Sequence, residues 1–443
     1  QVADIRRSQI AKLGSAGIDT VAALAAQDDA ARVPGLADGT FARLRTQARL
    51  QVQGREAGTP VYERLDAAPG RGFERLPRPS PGDVFFDIEG DPLYPDGLEY
   101  LFGLYDEAEG PRFRPFWAHD RLQEREAFEA TVDAMTAMLD AYPEAHIYHY
   151  APYETAALRR LSTAHGTREA EVDDLLRRGK LIDLYRVVRE ALMVSEPGYS
   201  IKNMEVFYAS KRDAEVETAG DSIVWYERWR QEGDDTLLQQ IADYNARDCV
   251  STRELRDWLV SLRPDEAAWA NDLAGADDAA ARSAEQSDRE AERDALAAAI
   301  RRNATHLDEA VRELAGHLLD FHRREDKPVW WAMFERANTP TDDLIEDPEC
   351  LADLVLDPAV PPEPIKRSHG YTFTFPHQET KLRAGNNQIM VAEDLQDAGE
   401  ILELDEDAGS LKLKRSPKQG EPTRPGIPQQ CVGAAGDNSD YRR

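Results

Sequence analysis

At 443 residues the chain has room for about three domains, and its net charge of −29 opposes generic adhesion to phosphate backbones, so any grip on nucleic acid must come from local basic patches or bound metal. No apolar run approaches the roughly 20 residues of a membrane span and no secretory signal opens the chain, which argues against a membrane partner. The three cysteines, Cys249, Cys350 and Cys431, stand too far apart for a CxxC zinc module or a disulfide scaffold, and a soluble protein of the reducing cytoplasm is expected.

The chain opens on Gln1, not Met, and reads as a piece of a longer polypeptide. Residues 1–56 read as short helices with two Gly turns, Gly14 to Ile18 and Val33 to Leu36, the second leading into the stripe Phe41, Leu44, Ala48. This resembles tandem helix-hairpin-helix units, in which a Gly turn offers backbone N–H groups at a helix N-terminus to a phosphate. Arg and Lys outnumber acids here, against the trend of the chain; the alternative is a helical spacer. Pro and Gly crowd residues 57–80, which read as a linker. An α/β domain is expected over 81–262, with strands at Val84 to Ile88, Tyr100 to Tyr105 and His146 to Tyr150, a helix through Phe128, Met135 and Leu139, and a long helix from Leu237 to Leu262.

The first strand, Asp83-Val-Phe-Phe-Asp-Ile-Glu-Gly-Asp91, carries the chemistry. Strand side chains alternate, so Asp87 and Glu89 share one face while Phe86 and Ile88 point into packing. Two acids at the end of an apolar strand repel and lose hydration, which a bound cation offsets, and such oxygen pairs suit Mg²⁺ or Mn²⁺. A Walker B strand has the same look, but no Gly-x-x-x-x-Gly-Lys-[Ser/Thr] exists to cradle a triphosphate; Gly179-Lys180 is followed by Leu181. Solvated acids at a strand end are the bland alternative. On the late helix, Tyr244 and Asp248 stand four residues apart on one face.

In chain order, Phe85-Phe-Asp-Ile-Glu-Gly-Asp-Pro92, His149-Tyr-Ala-Pro-Tyr-Glu154 and Tyr244-Asn-Ala-Arg-Asp-Cys249 resemble the motifs of ribonuclease H-like DEDD exonucleases of the Tyr subtype. More closely they resemble the ribonuclease H-like domain of the predicted RecB-type nucleases, some of which continue into a superfamily 1 helicase. The resemblance covers residues 1–415 and is specific within 84–258. It implies 3′-to-5′ removal of nucleotides by two-metal hydrolysis, with Asp87, Glu89, Glu154 and Asp248 holding two Mg²⁺ or Mn²⁺ ions and Tyr244 orienting the attacking water. Nucleic acid is the implied partner, DNA in preference to RNA, in a repair protein with further nuclease and helicase regions outside this chain. The family's second motif has Asn, three residues, an aromatic, then Asp; here His149, Tyr153 and Glu154 stand instead, and the longer Glu154 changes the reach to metal. His149, Asp183 and Lys202 are weaker candidates: a donor behind the ligands or a strand histidine, a helix cap, and a phosphate contact or an acid's partner.

Residues 263–292 read as an acidic, Ala-rich linker or helix, 293–360 as a helical domain carrying Leu296, Ile300, Leu307, Leu314 and the cluster Lys327 to Trp331, and 361–415 as a small β module with a hairpin between Glu400 to Leu404 and Ser410 to Lys414. From 416 to 443 disorder is expected. The fold class is thus a ribonuclease H-like α/β core flanked by a helix-hairpin-helix-like N-terminus and C-terminal helical and β segments. Two rival functions remain: a nucleic-acid-binding module that has lost turnover, and a ribonuclease H-type endonuclease. The Tyr244/Asp248 helix favours the exonuclease.

Overall fold

The structure, a computed structural model, describes residues 2–209 (less 4, 37 and 68), 219–272 and, with gaps, 295–434. The chain forms two compact units, one of residues 1–6, 18–27 and 44–288, the other of 7–17, 28–43 and 289–443.

The first unit is built on a five-stranded mixed sheet. Its strands are β2 (Val84–Asp91), β3 (Leu98–Asp106), β4 (Arg112–Trp117), β5 (Ile147–His149) and β6 (Leu181–Asp183), numbered after β1 (Tyr62–Arg64). They lie in the order β4-β3-β2-β5-β6. β2, β3 and β4 form an antiparallel meander, whereas β5 and β6 run parallel to β2. Apolar alternation on β2 determines what covers each face. Phe86 and Ile88 pack with Phe128, Val132 and Met135 of α4 (Arg121–Ala141) and with Leu158 and Leu161 of α5 (Tyr153–His165). Phe85 turns the other way, onto Leu184 and Val188 of α7 (Leu184–Ala191) and Leu255 and Leu259 of α10 (Asp235–Leu262). Between these helices lie α6 (Glu169–Arg177), α8 (Ile201–Met204) and α9 (Ala219–Glu232).

Two stretches expected to be peripheral are integral to this unit. Within the 57–80 stretch, β1 pairs antiparallel with β7 (Leu192–Val194), Leu76 is fully buried, and Arg75 forms a 2.5 Å ion pair with Glu190. Pro and Gly shape the bends there, but apolar anchors and charge pairs fix the path. Of the N-terminal helices α1 (Arg7–Ser15), α2 (Val21–Ala25) and α3 (Asp38–Ala57), the part of α3 from Leu44 onward packs in this first unit: Leu44 and Ala48 are fully buried, and the Gln47 amide donates to the Val194 carbonyl at 2.7 Å.

In the second unit, the stripe expected from Leu296 yields α11 (Glu309–Leu318), with Val311, Leu314 and Leu318 exposed, while the Lys327 to Trp331 cluster lies outside the described residues. The β module is larger than 361–415. Its strands are β8 (Cys350–Leu356), β9 (Glu363–Ile365), β10 (Ser368–Thr374), β11 (Ile389–Val391), β12 (Asp397–Asp405), β13 (Ser410–Arg415) and β14 (Gln429–Ala434). Six of them close into an antiparallel barrel because β13 pairs with both β12 and β10, and β9 extends the edge of β10. Thus Cys350–Leu356, placed in the helical domain by the sequence, is a strand, and β14, within the tail expected to be disordered, fills the gap between β8 and β11. The expected hairpin is present, with Asp405 opposite Ser410.

Candidate metal centre

β2 delivers Asp87 and Glu89 to the face that α10 covers, and α10 returns Asp248 to the same place. Oxygens of these three carboxylates all lie within 4.8 Å of one another, with Glu89 and Asp248 buried and Asp87 partly exposed. The ladder with β3 slips between Glu89 and Gly90, a bulge that ends regular pairing where the acids emerge.

α10 is fixed over β2 by two devices. Near its C-terminal end, the Arg256 guanidinium donates to buried Asp83 at 2.5 Å and lies over the Phe85 and Tyr148 rings. Asp83 also accepts from the backbone of His146, so one carboxylate ties β2, β5 and α10 together. Nearer the acids, the fully buried Asn245 amide donates to Asp87 at 2.6 Å and lies close enough to Glu89 to lower its pKa. Its position requires Gly103 on β3: a Cβ there would stand 1.7 Å from the Asn245 Oδ1. Asn245 is the residue that sequence reading passed over, although it sits inside the Tyr244-to-Asp248 run. Its one-residue offset from Tyr244 points it at β2, a signal that exists only once β2 is known to lie beneath the helix.

The electrostatics penalise the ionised forms of these acids. Burial, then the charges of Glu89, Asp248 and Glu154, hold the Asp87 carboxyl well above its usual range. Burial and Asp248 push Glu89 up to about 8, against Ser222 and Asn245, which lower it. Clustered oxygen donors whose ionised forms are this penalised fit a hard divalent cation such as Mg²⁺ or Mn²⁺. Burial and the same acids raise the Tyr244 phenol, which stays protonated. Lys202 donates to the Tyr244 oxygen at 2.7 Å and stacks over its ring. The weak expectation for Lys202 thus resolves into a contact with the motif tyrosine.

Glu154 is buried at the start of α5, outside the group of three, although its charge is felt at Asp87. It lies 3.5 Å from the His149 Nδ1, and its Oε2 makes no hydrogen bond. Burial lowers the His149 pKa, but Glu154 and Asp183 more than offset this and leave it raised. His149 also bonds the Ala151 carbonyl (2.8 Å) and the Thr155 hydroxyl (3.1 Å). Ala151 sits in the left-handed region at φ 74°, held there as its N–H donates to Asp183 at 2.9 Å. The same Asp183 oxygen accepts from Tyr185 N–H, so Asp183 caps α7 and pins the turn that presents Glu154.

Three carboxylates thus converge on the central strand of a mixed five-stranded sheet. Residues 84–260 match the model of the family described as the RNase_H superfamily, which supports a ribonuclease H-like nuclease domain over that stretch. No curated protein and no solved structure matches the chain.

Proposed function

We propose that this chain carries a metal-dependent 3′-to-5′ exonuclease of the DEDD Tyr subtype, acting on single-stranded nucleic acid, DNA in preference to RNA, within a longer nuclease and helicase polypeptide of DNA repair. The observation that carries the reading is Tyr244 on the same helical face as Asp248, above Asp87 and Glu89. Two divalent cations held by these acids would supply activation of water and stabilisation of the leaving 3′ oxygen. The chain's own groups do the rest. The Tyr244 oxygen accepts from Lys202 on the helical face it shares with Asp248, and its O–H and second lone pair are directed to orienting the attacking water. Asn245 holds Asp87 in place with its amide, and the burial of Glu89 and Asp248 limits bulk water on their side of the site. Glu154, paired with His149, acts as the fourth acid through its charge on Asp87.

The test is degradation of 5′-labelled and 3′-labelled single strands of DNA and of RNA in Mg²⁺ or Mn²⁺. Immediate release of labelled mononucleotide from the 3′-labelled strand, with stepwise shortening of the 5′-labelled one, is expected. Internal cuts of an RNA/DNA hybrid would instead support the endonuclease, and binding without cleavage the inactive module.

A further inference from the structure

Lys202 stands on α8, a four-residue helix tied down at both ends, so its side chain starts from a fixed point. Before the helix, the Tyr199 carbonyl accepts from the Tyr150 hydroxyl, the Tyr199 hydroxyl donates to Gln47 at 3.0 Å, and the Arg189 guanidinium lies 4.7 Å over the Tyr199 ring. Ser200 then caps α8 by accepting from the Asn203 N–H at 3.3 Å. At the far end Met204 is fully buried in the core that holds Leu184, Val188 and Leu255. From this base the Lys202 ammonium donates to the Tyr244 oxygen at 2.7 Å and lies 4.7 Å from the centre of its ring. Its charge is felt at both Asp87 and Glu89, where it favours the ionised forms. A cation is thus fixed at the metal centre, against the hydroxyl that aims the nucleophile.

We propose that Lys202 is a catalytic residue of strand cleavage: its ammonium donates to a non-bridging oxygen of the phosphate under attack, beside the water that Tyr244 aims; the proposal rests on the nuclease reading. The spacing supports it. A water in near-attack position stands about 3 Å from phosphorus, so the non-bridging oxygens are its immediate neighbours, and two groups 2.7 Å apart can hold one of each. An ammonium carries three donors, and the bond to Tyr244 uses one of them. The charge supports it as well. A phosphodiester brings its negative charge to three carboxylates in a chain of net charge −29, and attack adds a second charge to the non-bridging oxygens. A fixed cation offsets both, most strongly where charge develops. In the step, the water oxygen bonds to phosphorus as the bond from phosphorus to the 3′ oxygen breaks. One proton passes from the water to solvent, one from solvent joins the 3′ oxygen, and Lys202 stays protonated throughout.

The experiment compares cleavage of labelled oligothymidylate by the full chain and by its Lys202→Met, Lys202→Arg, Tyr244→Phe and combined Lys202→Met, Tyr244→Phe variants, with thermal melts confirming folding. Lys202→Met should lower kcat on the order of a hundredfold, and Lys202→Arg, which keeps a cation, should recover part of the loss. The combined variant separates contact with the phosphate from support of Tyr244. A direct contact makes it slower than Tyr244→Phe by a further factor on the order of tenfold, whereas a lysine that acts only by holding Tyr244 leaves the two equal, and the proposal falls. Binding gives the second reading. In the chain carrying Asp87→Asn, where the strand survives, Lys202→Met should weaken affinity for the oligothymidylate far less than it lowers kcat. A loss carried wholly by affinity would overturn the role. If the parent cleaves while the combined variant matches Tyr244→Phe, the nuclease reading stands without this residue; if the parent cleaves no strand, both fall.

Discussion

Asn245 holds Asp87 with one buried amide, a position open only because Gly103 lacks the Cβ that would fill the amide's space. Asp87→Asn should abolish cleavage while the fold persists, because a ligand charge is lost with almost no change in volume. The same substitution removes one member of a repelling trio, so the metal-free variant should melt above the parent; unchanged turnover would reject the site. Glu154 is the sharper question, since the resemblance makes it a ligand and the structure places it against His149. Glu154→Gln should lower the rate by on the order of tenfold to a hundredfold, as for a residue supporting ligands, and leave calorimetric metal binding at the trio measurable. Loss of a bound ion in that variant would return Glu154 to the ligand set. The strand acids and the Tyr244/Asp248 pair were legible because alternation and helical spacing fix which side chains share a face. Asn245 and Ser222 were not, since their roles depend on β2 and β3 lying beneath α9 and α10, a long-range contact that no local pattern encodes.

Elements are tied by a few buried charges. Arg256 sits two turns beyond Asp248 on α10, and its bond to Asp83 sets how that helix lies over β2, hence where Tyr244 and Asp248 fall. Arg256→Leu leaves Asp83 buried without its cation, and removing one partner of such a pair costs about 3–5 kcal/mol. The urea midpoint should therefore drop sharply, and adding Asp83→Asn should recover part of the loss. If the single variant is as stable as the parent, the clamp contributes nothing. Elements whose signals are local were readable: the β12 and β13 hairpin, the α10 helix and the β2 strand all show their period in a short window. The barrel was read too small because closure recruits β8 and β14, which pair with each other across about 75 residues of sequence. β14 is a short run within a polar, Gly- and Pro-rich stretch, and only its register with β8, Val432 opposite Leu351, marks it as a strand. Likewise, the Pro-rich path through β1 reads as a linker until Leu76 and Glu190 supply its anchors.

Over the whole molecule the charge is one-sided, at −29, so no long-range positive field relieves the acid trio. That couples stability to pH and to metal in a definite direction. The folded protein holds Glu89 at about 8 against an ordinary value of 4.5 in the unfolded chain, so between those values the folded state keeps a proton that the unfolded state has released. Raising the pH therefore favours unfolding: this contribution is fully present below about 4.5 and lost as the pH climbs through about 8. Asp87, raised by burial and its neighbours, adds in the same sense. A divalent cation reverses the balance, because it binds the ionised acids and displaces their protons. Metal-free protein should lose melting temperature from about pH 5 to about pH 8, more steeply than the Glu89→Gln variant measured alongside it, which cancels the contribution of all other groups. Mn²⁺ should raise the melting temperature of the parent more at the upper pH than at the lower, and scarcely at all in Glu89→Gln. Parallel pH profiles for parent and variant, with no greater metal response at high pH, would mean that the trio is not a proton-laden cation site, and the metal-dependent mechanism would lose its structural basis.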